Sequence, residues 1–277
     1  VKNGHSNGAR RRNAGRLALV TGAASGIGRA TALALAESGA SLVVVDRDAR
    51  GVREVADRLG SAFVLAATVD VADREAMREL AADVHGRLGP LDILVNNAGV
   101  GHAGGMLNTP LQQWEAVVRV NLWGTIHGCH FFVPKMVEEK RTGHVVNVAS
   151  VYGLVAAGTA APYSTTKFAV VGLSEALREE LAPHRIGVTA VCPGLIATNI
   201  AKGGYYADEA ARAQTVQAFT RGHPPEIVAR AIVGAIERNE AMVPVGAEAW
   251  LVAVGRRVAP SVIARIRKRF EDMGRRP

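Results

Sequence analysis

The segment AAPYSTTKFAVVGL, residues 160–173, places a phenol, Tyr163, four residues before an ammonium, Lys167. On a helix that spacing puts both side chains on one face. An ordinary amphipathic helix start would carry the same pair, so the two residues alone do not decide between structure and chemistry. A phenol with an ordinary pKa near ~10 is a poor base at neutral pH. A nearby ammonium favours the phenolate and lowers that pKa, which would turn the pair into an acid–base unit. Ser150 lies 13 residues upstream and ends the apolar stretch GHVVNVAS, read as a strand. Its hydroxyl and the phenol could both bond one carbonyl oxygen as charge develops there.

A second group of residues has the composition of a phosphate cradle. In LALVTGAASGIGRATALALAESG, an apolar strand runs into Gly22, Gly26 and Gly28 and then into a helical pattern. Glycine admits positive φ and lets a helix N-terminus approach a diphosphate. No lysine occupies a G-K-[ST] position, which argues against a P-loop. Asp46 closes the next strand, SLVVVD, 18 residues after Gly28. A carboxylate there can accept both ribose hydroxyls of an adenosine and would repel a 2′-phosphate. NAD is therefore favoured over NADP, although Arg47 beside it could pair with a 2′-phosphate. A helix N-cap is the other reading of Asp46. Asp70, after the third strand, could accept from an adenine amino group with Val71 against the ring, or could close a turn.

The elements that must hold these residues follow a regular rhythm. RLALV, SLVVVD, AFVLAATVD, LDILVN, GHVVNVAS, IGVTAVC and AMVPV read as strands, and longer helical patterns separate the first six. Near-continuous apolar strands alternating with helices predict a doubly wound α/β fold with a parallel sheet covered on both faces. The stretch from Pro110 to Lys140 reads as one long helical region. Residues 1–15, rich in Asn, Gly and Arg, are expected to be disordered, and the catalytic domain to span 16–245. The irregular segment at about 194–226 follows a strand at the ligand edge and reads as a substrate lid.

Composition limits the alternatives. The chain is 48% hydrophobic, and no apolar run reaches the ~18 residues that cross a membrane. No secretory signal is read, so a cytoplasmic location is expected. Cys129 and Cys192 have apolar neighbours and no metal-ligand spacing, so buried thiols and no metal site are expected. The formal charge is +8, but residues 1–16 carry +5 and residues 256–277 carry +6, leaving 17–255 at −3. That distribution argues against a nucleic-acid-binding core.

Several motifs then fall in one order: TGAASGIG (21–28), NNAG (96–99), Asn121 in VRVNLWG, Ser150 in NVAS, YSTTK (163–167) and PGLIAT (193–198). The set resembles the short-chain dehydrogenase/reductase family, in its single-domain branch, over about residues 16–200. The resemblance implies a Rossmann fold with a seven-stranded, mostly parallel sheet of order 3-2-1-4-5-6-7. It implies Tyr163 as acid/base, Ser150 as holder of the substrate oxygen, and Lys167 and Asn121 as the rest of a tetrad. It implies a dinucleotide site of Gly22, Ser25, Gly26, Ile27, Gly28, Asp46, Arg47, Asp70, Val71, Asn97, Ala98, Gly99, Tyr163, Lys167, Pro193, Gly194, Ile196 and Thr198. Candidate substrate contacts, from position, are His102, Ser150, Tyr152, Leu195 and Tyr205. The implied activity is hydride transfer between a nicotinamide and an alcohol or carbonyl compound, EC 1.1.1.-, in a homodimer or homotetramer. The alternative from another class is a non-catalytic dinucleotide-binding regulator or scaffold of the same fold.

Beyond about residue 240 the chain departs from the commonest family pattern. Residues 246–277 read as two helices separated by Pro260, the second setting Val262, Ile263, Ile266 and Phe270 against Arg265, Arg267, Lys268 and Arg269. Such a basic amphipathic helix could touch an anionic membrane surface, cover the pocket or meet a second copy.

Overall fold

The computed structural model describes residues 12–258 except 202 and 207. The expected second C-terminal helix, with its expected basic face, lies outside the described residues. Nine strands and nine α-helices follow in the order β1 (Leu17–Thr21), α1 (Gly26–Glu37), β2 (Ser41–Asp46), α2 (Ala49–Leu59), β3 (Phe63–Thr68), α3 (Arg74–Leu88), β4 (Ile93–Asn96), β5 (His102–Ala103), α4 (Leu111–Val118), α5 (Gly124–Glu138), β6 (Gly143–Val148), α6 (Ala161–Leu181), β7 (Ile186–Pro193), β8 (Tyr205–Tyr206), α7 (Glu209–Thr220), α8 (Pro225–Arg238), β9 (Met242–Val245) and α9 (Ala247–Val258).

Seven strands form one sheet of order β3-β2-β1-β4-β6-β7-β9. Counting only those seven along the chain gives the order 3-2-1-4-5-6-7, as the family resemblance implies. Every pair is parallel, from Leu17 opposite Ser41 to Pro193 opposite Val245. Side chains alternate faces along a strand, and the core divides accordingly. Ala18, Val20, Leu42 and Val44 pack with Leu35, Val52, Val228 and Ile232, under α1, α2 and α8. Leu19, Val43 and Val45 pack with Met77, Leu80, Phe132 and Met136, under α3 and α5. Burial on both faces is why the strands read as unbroken apolar runs.

The structure differs from expectation at three places. Residues 12–15, expected to be disordered, form a docked turn. Asn13 is almost fully buried because Ser38 receives its side chain at 2.8 Å and its backbone N–H at 2.9 Å. The long helix of 110–140 is broken into α4 and α5 by a π-helical turn, Arg119–Trp123, closed by a bond from Gly124 N–H to the Arg119 carbonyl. Finally, β6 ends at Val148, so Ser150 stands past the strand and caps a 3₁₀ turn.

Candidate active site

A cleft of about 900 Å³ opens beyond the C-terminal ends of β1, β2, β3, β4, β6 and β7. Parallel packing brings all six ends to one edge, which is where ligands bind in open α/β sheets.

At one end lies the glycine loop. Gly22 has φ +66°, and a Cβ on it would come within 2.8 Å of Ala98 Cα. A Cβ on Gly28 would overlap the Gly22 carbonyl. Gly28 therefore acts from behind the cleft, letting α1 pack onto the loop. The loop is fixed by Thr21, whose Oγ1 accepts from the N–H groups of Asn97 at 3.0 Å and Ala98 at 3.1 Å. Asn97 in turn donates from Nδ2 to the Thr21 carbonyl at 2.9 Å. Helix α1 begins at this loop with no acid in its first turn and no capping bond from the Ser25 side chain. Ser25, Gly26 and Ile27 line the cleft, so uncapped helix N–H groups stand where an anion such as a diphosphate would bind.

Asp46 lines the same end. Its carboxylate accepts from Ala24 N–H at 2.9 Å and from Asp48 N–H at 3.1 Å, which fixes its orientation and leaves lone pairs for a further donor. The N-cap of α2 is Asp48, whose side chain accepts from Arg50 and Gly51. Arg47, Asp70 and Val71 also line the cleft, and Asp70 closes a turn through Ala72 N–H at 2.9 Å. The residues thus fit a dinucleotide: a cradle that side chains would fill, a helix N-terminus and an oriented ribose-type carboxylate.

At the other end stand Ser150, Tyr163 and Lys167. Ser150 Oγ accepts from Tyr152 N–H at 3.2 Å, and its hydroxyl stands close enough to the Tyr163 phenol to favour the phenolate. Lys167 Nζ lies 5.6 Å from the Tyr163 ring centroid and donates to the Val148 carbonyl at 2.9 Å. Burial pushes the phenol up to about 12, against the lowering pull of Ser150. Burial likewise pushes the lysine down to about 8. The expected lowering of the tyrosine by the ammonium is therefore not the net effect in the protein alone. Desolvation penalises both charged forms, and the lysine's nearest acceptor is a backbone carbonyl rather than the phenol.

Asn121 is fully buried beneath the cleft rather than lining it. Its side chain accepts from Val100 N–H at 2.8 Å and donates to the Val100 carbonyl at 3.0 Å. It also donates to Thr166 Oγ1 at 3.4 Å, and Thr166 donates to the Tyr163 carbonyl at 2.8 Å. The π turn, the loop after β4 and the first turns of α6 are tied together through this side chain.

The sequence from 16 to 206 matches the family model for short chain dehydrogenases. The chain belongs to the short-chain dehydrogenase family. It is 40% identical over 260 residues to "Probable oxidoreductase EphD" of Mycobacterium tuberculosis, covering 89% of this chain. The chain spans only 44% of that relative's length. It is 37% identical over 190 residues to the 1-deoxy-11-beta-hydroxypentalenate dehydrogenase of Streptomyces avermitilis, covering 67% of this chain and 70% of the relative. A crystal structure of a Burkholderia phymatum short chain dehydrogenase/reductase in complex with NAD superposes with a TM-score of 0.81 at 29% identity, covering 95% of each chain.

In this short-chain dehydrogenase the remaining named residues divide. Ala98, Gly99, Pro193, Gly194, Leu195, Ile196, Thr198 and Tyr152 line the cleft. His102 and Tyr205 do not; they pair with each other in the small β5–β8 sheet that joins the segment after β7 to the loop after β4. His102 is buried there, and burial lowers its pKa. Sequence reasoning missed Thr21 and Thr166, whose hydroxyls brace the loop and Tyr163. It also missed Glu248, Leu251 and Val252, through which α9 forms part of the cleft wall. Thr21 could have been found, since it opens the TGAASGIG motif; Glu248 had no comparable signal.

Proposed function

We propose that the protein is an NAD-preferring oxidoreductase that interconverts an apolar alcohol and the corresponding ketone or aldehyde. The observation that carries this reading is that Ser150, Tyr163 and Lys167 line the same cleft as the glycine loop and Asp46, with the lysine 5.6 Å from the phenol ring. A nicotinamide bound there would take or give the hydride. Ser150 accepts from Tyr152 N–H and keeps its own proton free to donate. A substrate oxygen arriving between them would receive hydrogen bonds from both, where charge develops in the transition state. Tyr163 would protonate that oxygen in reduction and take its proton in oxidation. Lys167 would hold the phenolate once a bound cofactor and substrate bring charge into the site.

The apolar substrate is supported by the wall beyond Tyr163, formed by Val151, Val155, Leu195, Ile200, Phe219 and Val252. NAD is supported by Asp46, whose fixed carboxylate would repel a 2′-phosphate. The test is a panel of apolar alcohols and ketones assayed with NAD and NADP in parallel, followed by Tyr163→Phe. We expect a higher kcat/KM with NAD. We expect the substitution to lower kcat by ~10³-fold or more while NADH binding stays within about threefold, since only proton transfer is removed. Turnover that survives in Tyr163→Phe would sink the enzyme assignment and favour a dinucleotide-binding regulator.

A further inference from the structure

The segment that leaves β7 is anchored from an unexpected direction. Gly194 N–H donates to the Val245 carbonyl at 2.8 Å, so the end of β9 holds the first residue after the strand. In the first turn of α9, the Glu248 carboxylate accepts from Leu195 N–H at 2.8 Å. A Cβ on Gly194 would overlap that carboxylate, so glycine is what lets the acid lie against the segment. On the far side the chain returns: His223 N–H donates to the Leu195 carbonyl and Ala197 N–H to the His223 carbonyl, each at 2.8 Å. The second Glu248 oxygen faces His223 Nε2 at 3.8 Å. Both those side chains are at least a third exposed, so that ion pair adds little. The hydrogen bond from a backbone N–H to an ionised carboxylate is the stronger link.

We propose that Glu248 is a positioning residue: it clamps Leu195 and Ile196 against the cleft so that the nicotinamide end of the cofactor is held for hydride transfer. The proposal rests on the dinucleotide reading given above. Glu248 touches no reacting atom in it; it acts through the backbone of residues 194–196. Leu251 and Val252, one turn further along α9, line the cleft beside it. The C-terminal departure from the commonest family pattern thereby supplies both a wall and the acid that fixes the neighbouring segment.

The test compares two ligands by calorimetry on the full chain: NADH, and ADP-ribose, which has the same adenosine and diphosphate but no nicotinamide. Glu248→Ala removes the acceptor; Glu248→Gln retains an oxygen for Leu195 N–H. We expect Glu248→Ala to weaken NADH about tenfold and leave ADP-ribose within about twofold, and Glu248→Gln to stay within about twofold on both. A merely structural defect would weaken both ligands together, and that outcome overturns the proposal. So does unchanged NADH binding in Glu248→Ala, or a Gln variant as weak as the Ala variant. Should Glu248→Ala not fold, Glu248→Asp keeps the charge but withdraws it by one methylene, and the same contrast between ligands applies. A native chain that binds neither ligand overturns the dinucleotide reading and the clamp with it. Native binding of both ligands with an unaffected variant overturns the clamp alone.

Discussion

At the scale of single residues, the protonation of the Tyr163–Lys167 pair is set by burial before any ligand arrives. Burial pushes the phenol up to about 12, so it is neutral at pH 7, and pushes the lysine down to about 8, so it keeps most of its proton at pH 7 but loses it a little above. The order matters. By the pH at which the phenol ionises, the lysine has already lost its proton and offers no field. An ultraviolet difference titration of the native chain against Tyr163→Phe should therefore show the Tyr163 phenolate only well above the ordinary tyrosine range near ~10. Lys167→Met should leave that midpoint in place. A phenolate appearing near neutral pH in the free protein, and lost in Lys167→Met, would mean that the ammonium outweighs desolvation after all. The residue types and their four-residue spacing were plain in the sequence. The direction of the shift was not, because it depends on how deeply the pair is buried and on the Val148 carbonyl, 19 residues from the lysine.

At the scale of elements, the bend between α4 and α5 carries the site's foundation. Apolar spacing across 110–140 continues without a break, so the stretch reads as one helix. The one-residue widening of the π turn leaves no mark in that pattern. It places Asn121 so that a single side chain satisfies both backbone groups of Val100. Both residues are buried, and water has no ready access to replace a lost partner. Asn121→Ala should therefore leave a buried N–H and a buried C=O unpaired and cost about 3 kcal/mol of stability. Urea denaturation should show the midpoint falling with the slope unchanged. The same variant should lower turnover, because Thr166 loses its link to the π turn and with it the restraint on the first turns of α6. A variant that keeps native stability would show that Val100 finds other partners. The clamp at Glu248 was invisible for a related reason: its acceptor lies 53 residues from the donor, and no local pattern encodes such a pairing.

At the scale of the whole molecule, the two core layers were legible because the strands of the main sheet are mostly apolar and most of the flanking helices have a periodic face. The segment expected to be a lid was less so: α7 buries none of its residues and has no apolar stripe to read. The layers also enclose a titratable group outside the site. His144 sits in β6, an interior strand of the sheet, and Thr189 of β7 lies 2.7 Å from its Nε2. Thr189 donates its own proton to the Glu240 carbonyl, so the imidazole donates to it from Nε2. Burial, then the charges of Arg16 and Arg178, push its pKa down from 6.5 to about 4. The unfolded chain takes up a proton at this residue below about pH 6.5, and the folded chain does so only near 4. The contribution is therefore fully present above 6.5 and is lost as the pH falls through that window. A depression of this size corresponds to about 3 kcal/mol. Chemical denaturation of the native chain and of His144→Gln from pH 7 down to pH 4 should show the stability difference shrinking by up to about that amount, the native chain losing more on acidification. Parallel curves for the two proteins would mean that the folded sheet accommodates the imidazolium, and that acid sensitivity arises elsewhere in the fold.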